Sequence, residues 1–284
     1  MPSLIDIRRR IRSVKNTQQI TRAMKLVSAA KLRRAQERVI AARPYVATLR
    51  KVLANVAEAA AGDEQAGAHP LMARRPEQRI LLVLITSDKG LAGAFNANLI
   101  RGAQRFAAEH QSAAVTMLLL GRKGRDFFRK RGARIAAEHI GLAKPSYELT
   151  IPIAAQAMEM YRKAEIDAVY LLCNEFKSVV AQKLTLTRVL PVTLPGVAAP
   201  VDYIFEQPPA EMLEALLPRY VEMEFFRALL ETVAAEHAAR MTAMDAATSN
   251  AADMIERLTI YMNRVRQASI TKEIIEVVSG AAAE

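Results

Sequence analysis

The C-terminal residues 211–278 carry an apolar repeat with alternating spacings of three and four residues. No glycine lies between Val197 and Ser279, and no proline follows Pro218. These spacings place the apolar side chains along one seam of an α-helix, as in a coiled coil. At ~1.5 Å per residue, about sixty residues form a rod of roughly 90 Å, longer than the interior of a compact domain of this size. The C-terminal seam consists of Met241, Met244, Thr248, Ala251, Ile255, Leu258, Met262 and Val265.

The N-terminal residues 1–61 show the same repeat and are the expected partner of this rod. A lone helix with a half-apolar seam is not stable in water, so the C-terminal rod needs a partner. Residues 1–61 hold no glycine, and their only prolines are Pro2 and Pro44. The N-terminal seam consists of Leu4, Ile7, Ile11, Val14, Leu32, Ala35, Val39, Ala42, Val46, Leu49, Leu53 and Val56.

The middle of the N-terminal seam departs from the apolar pattern. The seam register falls there on the polar or charged residues Gln18, Thr21, Lys25 and Ser28, whereas the apolar residues have moved to Ile20, Met24 and Val27. One interpretation is a local stutter of the repeat. The other is that the middle of this helix contacts a second partner besides the C-terminal rod.

The residues between the two rods alternate between strand and helix patterns. Nine of the eleven glycines lie between Gly62 and Gly141, and Pro-containing connectors flank the region. Strands that alternate with helices indicate an open α/β sheet, largely parallel and Rossmann-like. We predict strands at 79–86, 114–120, 134–140, 168–173 and 179–189, and helices at 92–109, 124–131 and 152–163, the last with Pro152 near its first turn. The predicted domains are a helix at 1–61, a connector at 62–78, the α/β domain at 79–190, a Pro-rich connector at 191–210 and a helix at 211–284.

The charge of the chain is concentrated at its N-terminus. The formal net charge is +11, and residues 1–61 alone hold 14 Lys and Arg against three acidic residues. Residues 211–284 hold seven basic and twelve acidic residues, so the two rods are complementary in charge. The surplus basic residues of the first helix favour an acidic partner: a nucleic acid, a membrane surface or an acidic protein segment.

Candidate chemistry is sparse. The turn at 87–93 (SDKGLAG) follows a predicted strand and opens a helix, as phosphate sites do, but the glycine fingerprints of nucleotide binding are absent, which favours a structural turn. The four histidines are far apart in sequence and have no metal-ligand spacing, so we expect no metal and no cofactor. Cys173 is the only cysteine and lies in an apolar run, which indicates a core thiol in a reducing compartment. No pattern indicates a catalytic site, and the two rods favour a mechanical or scaffolding role.

Four segments together resemble the gamma subunits of F-type ATP synthases, the central rotor stalk. They read RRRIRSVKNTQQITRAMKLVSAAKLRRAQ at 8–36, LITSDKGLAGAFNANL at 84–99, EHAARMTAMDAATSNA at 236–251 and RQASITKEIIEVVSGA at 266–281. The resemblance extends over the whole chain. It implies an antiparallel coiled coil of the terminal helices inside a hexamer of alternating alpha and beta subunits, with a Rossmann-like domain outside it. It also implies one copy per complex, no catalytic residue of its own, and coupling of ion flow through the membrane c-ring to ATP synthesis or hydrolysis.

The resemblance assigns contacts to individual residues. Met24 and Lys25 match a motif that meets an acidic helix-turn-helix of beta, and Arg266, Gln267 and Thr271 match polar residues that engage a beta loop. Tyr203 and Glu206 match the segment by which the middle domain meets epsilon and the c-ring. The apolar bearing inside the hexamer would be formed by Ile270, Ile274, Ile275, Val277 and Val278.

Two further hypotheses remain beside the rotor subunit. A basic coiled-coil nucleic-acid binder would account for the charge of the first helix, but that helix holds only Tyr45 as an aromatic and no recognition module. A nucleotide-binding α/β enzyme with helical extensions is disfavoured by the missing fingerprints. A single cysteine excludes the thiol pair of the chloroplast members. We see no transit peptide, so the expected location is the cytoplasmic face of a bacterial plasma membrane, where the chain would be held through its partners.

Overall fold

The computed structural model describes residues 3–60, 69–179, 181–193 and 205–281. The chain divides into two compact units, each considered by itself. The first comprises Met1–Ala29 with Arg240–Glu284, and the second comprises Ala30–Ala239.

The described residues form long terminal helices and a central sheet with shorter helices. The helices are α1 (Leu4–Ala59), α2 (Phe95–Glu109), α3 (Arg122–Arg129), α4 (Tyr147–Arg162) and α5 (Pro209–Ala281). The strands are β1 (Arg79–Ile85), β2 (Ala114–Leu120), β3 (Ile135–His139), β4 (Ala168–Phe176) and β5 (Gln182–Leu190). The predicted fold class, paired terminal helices with a Rossmann-like open α/β sheet, is confirmed.

The N-terminus of α1 is held by a reciprocal cap. The Ser3 hydroxyl accepts a hydrogen bond from the Asp6 backbone N–H at 3.2 Å, and the Ser3 N–H donates to the Asp6 carboxylate at 3.3 Å. This arrangement satisfies two of the N–H groups that the first turn of a helix leaves without partners, and it places a negative charge at the positive end of the helix. The long helix therefore begins at a defined residue.

In the first unit, α1 and α5 run antiparallel. The Thr21 and Thr248 hydroxyl oxygens lie 2.8 Å apart, and Lys25 Nζ lies 2.5 Å from Asp245 Oδ1. Residue numbers thus rise along α1 as they fall along α5, which is the antiparallel order. Ile7 lies beside Leu258 at the far end of the pair.

In the second unit, five strands form one sheet in the order β3-β2-β1-β4-β5. The first four are parallel to their neighbours, and β5 pairs antiparallel with β4 at the edge. Six of the seven residues of β1 are buried, because helices cover both faces of the sheet at its centre. One face packs against α1, α4 and α5 in the main core cluster, and the buried residues of α2 are Phe95, Leu99, Ala103 and Phe106.

Several predicted element boundaries were wrong. The helix expected at 92–109 begins at Phe95, and the helix expected at 124–131 spans Arg122–Arg129. The helix expected at 152–163 begins at Tyr147, because the Ser146 hydroxyl caps it by accepting from the Leu149 N–H at 3.3 Å. Pro152 therefore lies inside α4, beyond its first turn. The strand expected at 168–173 continues to Phe176, where pairing with β5 supplies backbone partners. The strand expected from 179 begins at Gln182.

Candidate functional site

The middle of the N-terminal seam keeps its register in the structure. Thr21 and Ser28 are buried and Lys25 is partly buried, so the polar residues occupy the seam positions that the repeat assigns to them. The α1 residues therefore do not shift around the helix by a stutter here. Instead the seam contains a polar layer, in which the Thr21–Thr248 hydroxyl contact and the Lys25–Asp245 ion pair replace apolar packing.

The apolar residues displaced from this part of the seam remain on the outside of α1. Ile20 and Val27 are exposed within the unit, and Met24 between them is half-buried. Together these three residues form what we call the outer stripe. Exposed apolar residues at helical spacing are typical of surfaces that contact another protein.

Lys25, which the resemblance assigns to a beta contact, has a partner within the chain. Both Lys25 and Asp245 keep substantial exposure, and ion pairs of this kind contribute about 0–1 kcal/mol. The Lys25 ammonium can therefore exchange Asp245 for a carboxylate of another protein at little cost. Its assignment remains a prediction.

The C-terminal end of α5 projects a row of apolar side chains. From Arg266 to Ser279 only Ser269 is partly buried, and the rest are exposed. The residues predicted to form the apolar bearing are 48–72% exposed and comprise Ile270, Ile274, Ile275, Val277 and Val278. An uncovered apolar surface on a single helix requires a partner to bury it.

The polar residues assigned to partner contacts are distributed over three places. Arg266, Gln267 and Thr271 are exposed on α5, where the Thr271 hydroxyl donates to the Gln267 carbonyl at 2.9 Å. Glu206 is exposed just before α5 begins. Tyr203 lies outside the described residues.

Within the first unit, the residues predicted for the coiled-coil seam lie on buried or partly buried positions. Ile7, Ile11 and Met244 are buried. The partly buried members are Val14, Met241, Ile255, Leu258, Met262 and Val265.

The turn after β1 is closed by the chain's own groups. The Asp88 carboxylate accepts hydrogen bonds from the Arg122 N–H at 3.0 Å, at the start of α3, and from the Gly141 N–H at 2.9 Å. The Thr86 hydroxyl accepts from the Gly124 N–H at 2.9 Å. The carboxylate of this turn thus occupies the N-terminus of α3, where an anion could otherwise bind. This geometry favours the structural turn over nucleotide binding.

Close packing explains the glycine between β2 and α3. Gly121 has a φ of 101°, and a Cβ at this position would collide with the Thr86 carbonyl oxygen. Glycine is therefore required where α3 begins beside β1.

The sequence analysis missed two ion pairs in the second unit. Arg43 and Arg50 are seven residues apart on α1, and they pair with Glu231 and Glu224, seven residues apart on α5. Both glutamates are almost fully buried, with 3% and 1% of their side chains exposed. The signal in the sequence was the heptad spacing of opposite charges on the two rods.

The remaining reactive groups of the chain are in structural positions. Cys173 is buried on β4, and burial raises the pKa of its thiol to about 12. Its position in the core agrees with the prediction. Across residues 3–60, 69–179, 181–193 and 205–281, no three His, Cys, Asp or Glu side chains are grouped to hold a metal ion. In those same ranges no helix has a stretch both long and apolar enough to cross a membrane.

Comparisons with known proteins identify the class of this chain. A family model described as ATP synthase matches residues 3–283. The ATP synthase gamma chain of Solibacter usitatus is 73% identical over 284 residues, covering 100% of this chain and 99% of the relative. The gamma chains of Pelotomaculum thermopropionicum and Desulfitobacterium hafniense are each 50% identical, with the same coverage.

Solved structures share the fold. The central stalk and c-ring structure of the Tetrahymena thermophila mitochondrial ATP synthase contains a chain that matches with a TM-score of 0.64 and 24% identity, covering 80% of this chain and 99% of that one. A chain of the Euglena gracilis mitochondrial ATP synthase matches with a TM-score of 0.68 and 19% identity, covering 99% of this chain and 94% of that one.

The chain belongs to the ATP synthase gamma chain family. The function predicted from the resemblance, a gamma chain of an F-type ATP synthase, is confirmed at this level. ATP synthase gamma chains are subunits of a membrane-bound complex. The alternative of a nucleic-acid binder gains no support from these relatives.

Proposed function

We propose that this chain is the rotor shaft of an F-type ATP synthase and that its terminal helices turn inside a hexamer of alpha and beta subunits. The observation that carries the proposal is the full-length match to gamma chains, together with an antiparallel helix pair whose longer member ends in exposed apolar residues. A shaft of this kind needs no catalytic group of its own, and we propose that the chain is non-catalytic by itself.

The asymmetry of the helix pair supports this mechanism. Between Arg266 and Ser279 only Ser269 is partly buried, so this part of α5 presents an apolar surface without a matching neighbour from α1. One copy of such a shaft cannot present the same face to three catalytic sites at once. Rotation driven by the membrane c-ring would therefore force the three sites through different conformations in turn.

The outer stripe and Lys25 are the proposed contact with beta. Ile20 and Val27 offer apolar surface, Met24 lies between them, and the half-exposed Lys25 ammonium can pair with an acidic segment. Arg266, Gln267 and Thr271 form the second proposed contact with beta, on the exposed surface of α5.

The end of α5 is the proposed bearing. Its exposed apolar residues would be buried by an apolar sleeve of the hexamer, at about 25 cal/mol per Å² of apolar surface covered. A non-directional apolar contact permits rotation, because no hydrogen bond has to break at each angle. The residues of this bearing are Ile270, Ile274, Ile275, Val277 and Val278.

The segment just before α5 is the proposed attachment to the rest of the rotor. Glu206 is exposed before α5 and, with Tyr203, is assigned to contact epsilon and the c-ring. These contacts would hold the chain at the cytoplasmic face of a bacterial plasma membrane.

The test is assembly with the organism's own alpha and beta subunits. We expect co-expression to yield a complex whose native mass corresponds to three alpha, three beta and one copy of this chain, with ATPase activity that the chain alone lacks. A chain that stays alone, or assembles in equal numbers with beta, would contradict the shaft. Salt-dependent nucleic-acid binding would then be measured next.

A further inference from the structure

Arg43 and Glu231 join the sheet to both long helices in the second unit. Glu231 Oε1 accepts hydrogen bonds from Arg43 Nε at 3.3 Å and from Arg43 Nη2 at 3.1 Å. Glu231 Oε2 accepts from the Phe176 N–H at 3.0 Å, and Arg43 Nη2 also donates to the Phe176 carbonyl at 3.3 Å. Both backbone groups of the last β4 residue are therefore bound, one by a side chain from each helix.

We infer that this cluster of Arg43, Glu231 and Phe176, which we call the clamp, fastens the α/β sheet rotationally to the two helices of the shaft. The inference rests on the proposed rotor role. It makes Arg43 and Glu231 positioning residues, which transmit rotation of the sheet to α1 and α5 without touching a nucleotide.

The position of the clamp in the core supports this role. Members of the main core cluster run from Val46 to Val56 on α1 and from Leu213 to Leu229 on α5. Arg43 lies three residues before the first α1 member, and Glu231 lies two residues after the last α5 member. The clamp thus lies just beyond the last members of the apolar core cluster on both helices of the second unit.

The chemistry of the clamp differs from that of the core beside it. Apolar contacts are non-directional, so they resist separation of two elements better than a small rotation between them. Charge-assisted hydrogen bonds to a planar guanidinium have a defined geometry, and here they hold both backbone groups of one strand residue. A small rotation of β4 against either helix would lengthen several of these bonds at once.

The chain contains a matched control one heptad away. Arg50 pairs with Glu224 at 2.7 Å, its side chain is 46% exposed against 49% for Arg43, and its partner glutamate is equally buried. Glu224 is held on its other oxygen by Arg227 of its own helix, at 2.8 Å, and not by the sheet. The two ion pairs thus match in spacing, exposure and burial, but Glu224 has a second arginine partner on its own helix, and only the clamp reaches β4.

The test is the torsional stiffness of the assembled rotor. A bead is attached through a cysteine placed at exposed Gln104 on α2, since the buried native Cys173 does not compete for the label. Complexes are immobilised through the hexamer and stalled, and the angular fluctuation of the bead is recorded. We expect Arg43→Gln to broaden the angular distribution and Arg50→Gln to leave it at the wild-type width.

Arg43→Gln leaves the buried Glu231 carboxylate without its arginine. If the complex then fails to assemble, a variant that removes the charge of the glutamate keeps the test decisive. Glu231→Gln keeps the volume and an acceptor oxygen, and its matched control is Glu224→Gln. Arg43→Lys keeps the charge but lacks the planar fork, so we expect a width between those of wild type and Arg43→Gln.

The outcomes separate the clamp from the rotor role. Broader fluctuation in the clamp variants than in their heptad controls, with ATPase activity retained, supports the clamp. Equal widths in Glu231→Gln and Glu224→Gln overturn it, whether both are broadened or neither is. If the wild-type chain itself does not turn in the hexamer under ATP, the rotor role fails first and the clamp with it.

Discussion

Ile7 and Ile5 lie two residues apart on α1 and differ in burial, which makes them a matched pair for testing the seam. Ile7 is 3% exposed and lies beside Leu258 of α5, whereas Ile5 is 69% exposed. Replacing Ile7 with Ala removes three buried carbon atoms at ~0.8 kcal/mol each, so the change costs about 2–3 kcal/mol before any cavity is counted. Large-to-small substitutions in cores span ~2–5 kcal/mol, and a two-helix seam can partly close the gap, which favours the lower end.

The corresponding change at Ile5 should leave the free energy of unfolding unchanged or raise it slightly. Ile5→Ala removes no buried surface, and Ala is the better helix former by a few tenths of a kcal/mol, so we expect a change within about 0.5 kcal/mol. The measurement is urea unfolding of the purified chain, followed by loss of helical circular dichroism. Equal destabilisation by the two variants, or an Ile7→Ala chain as stable as wild type, would refute the packing of this seam.

Three further predictions concern the second unit. Because burial raises the pKa of the Cys173 thiol to about 12, alkylation at neutral pH should be slow in the folded chain and fast in denaturant; rapid labelling of folded chain would contradict its position. Hydrogen bonds from the Arg79 side chain hold the pKa of Asp167 below its usual value, so the stabilisation is present at neutral pH and is lost as the pH falls below about 4. Asp167→Asn should lower stability at pH 7 and flatten this acid dependence in unfolding measurements, and an unchanged acid profile would argue against the pair. Asp88→Ala should cost about 1 kcal/mol in unfolding free energy by freeing the N–H groups of α3 and of Gly141, with a smaller loss for Asp88→Asn, which keeps one acceptor.

The strands of the sheet could be predicted well because each is a short apolar run between turn residues. The prediction for β2 agrees with the structure at both ends, and that for β1 differs by one residue. The end of β4 could not be placed, because its last residues, Asn174 to Phe176, are held by pairing with β5 and by Glu231. Such partners come from distant parts of the chain and leave no local pattern.

The start of α4 shows the limit of local signals. Pro152 is favoured in the first turn of a helix, which placed the predicted start five residues late. The Ser146 cap supplies the actual start, and the helix continues through Pro152. Ser146 and Pro152 favour different starts for this helix, and only the tertiary structure shows that it begins after Ser146.

The outer stripe and the clamp could be predicted to different degrees. The displacement of Ile20 and Val27 from the seam is visible in the sequence, and the structure adds that the polar residues stay inside it opposite Thr248 and Asp245. The clamp has a trace in the sequence only as charges at heptad spacing. That Arg43 also reaches the backbone of Phe176, whereas Arg50 does not, depends on where β4 ends beside the helices.

The sequence by itself determined the two long helices, the parallel sheet between them and the family, because these depend on periodicity and on motifs that are local along the chain. The tertiary structure decided which polar groups share one seam, which arginine joins the sheet, and that Asp88 caps the N-terminus of α3. Hydrogen bonds and ion pairs act over about 3 Å, so they form only between groups that folding has already brought together.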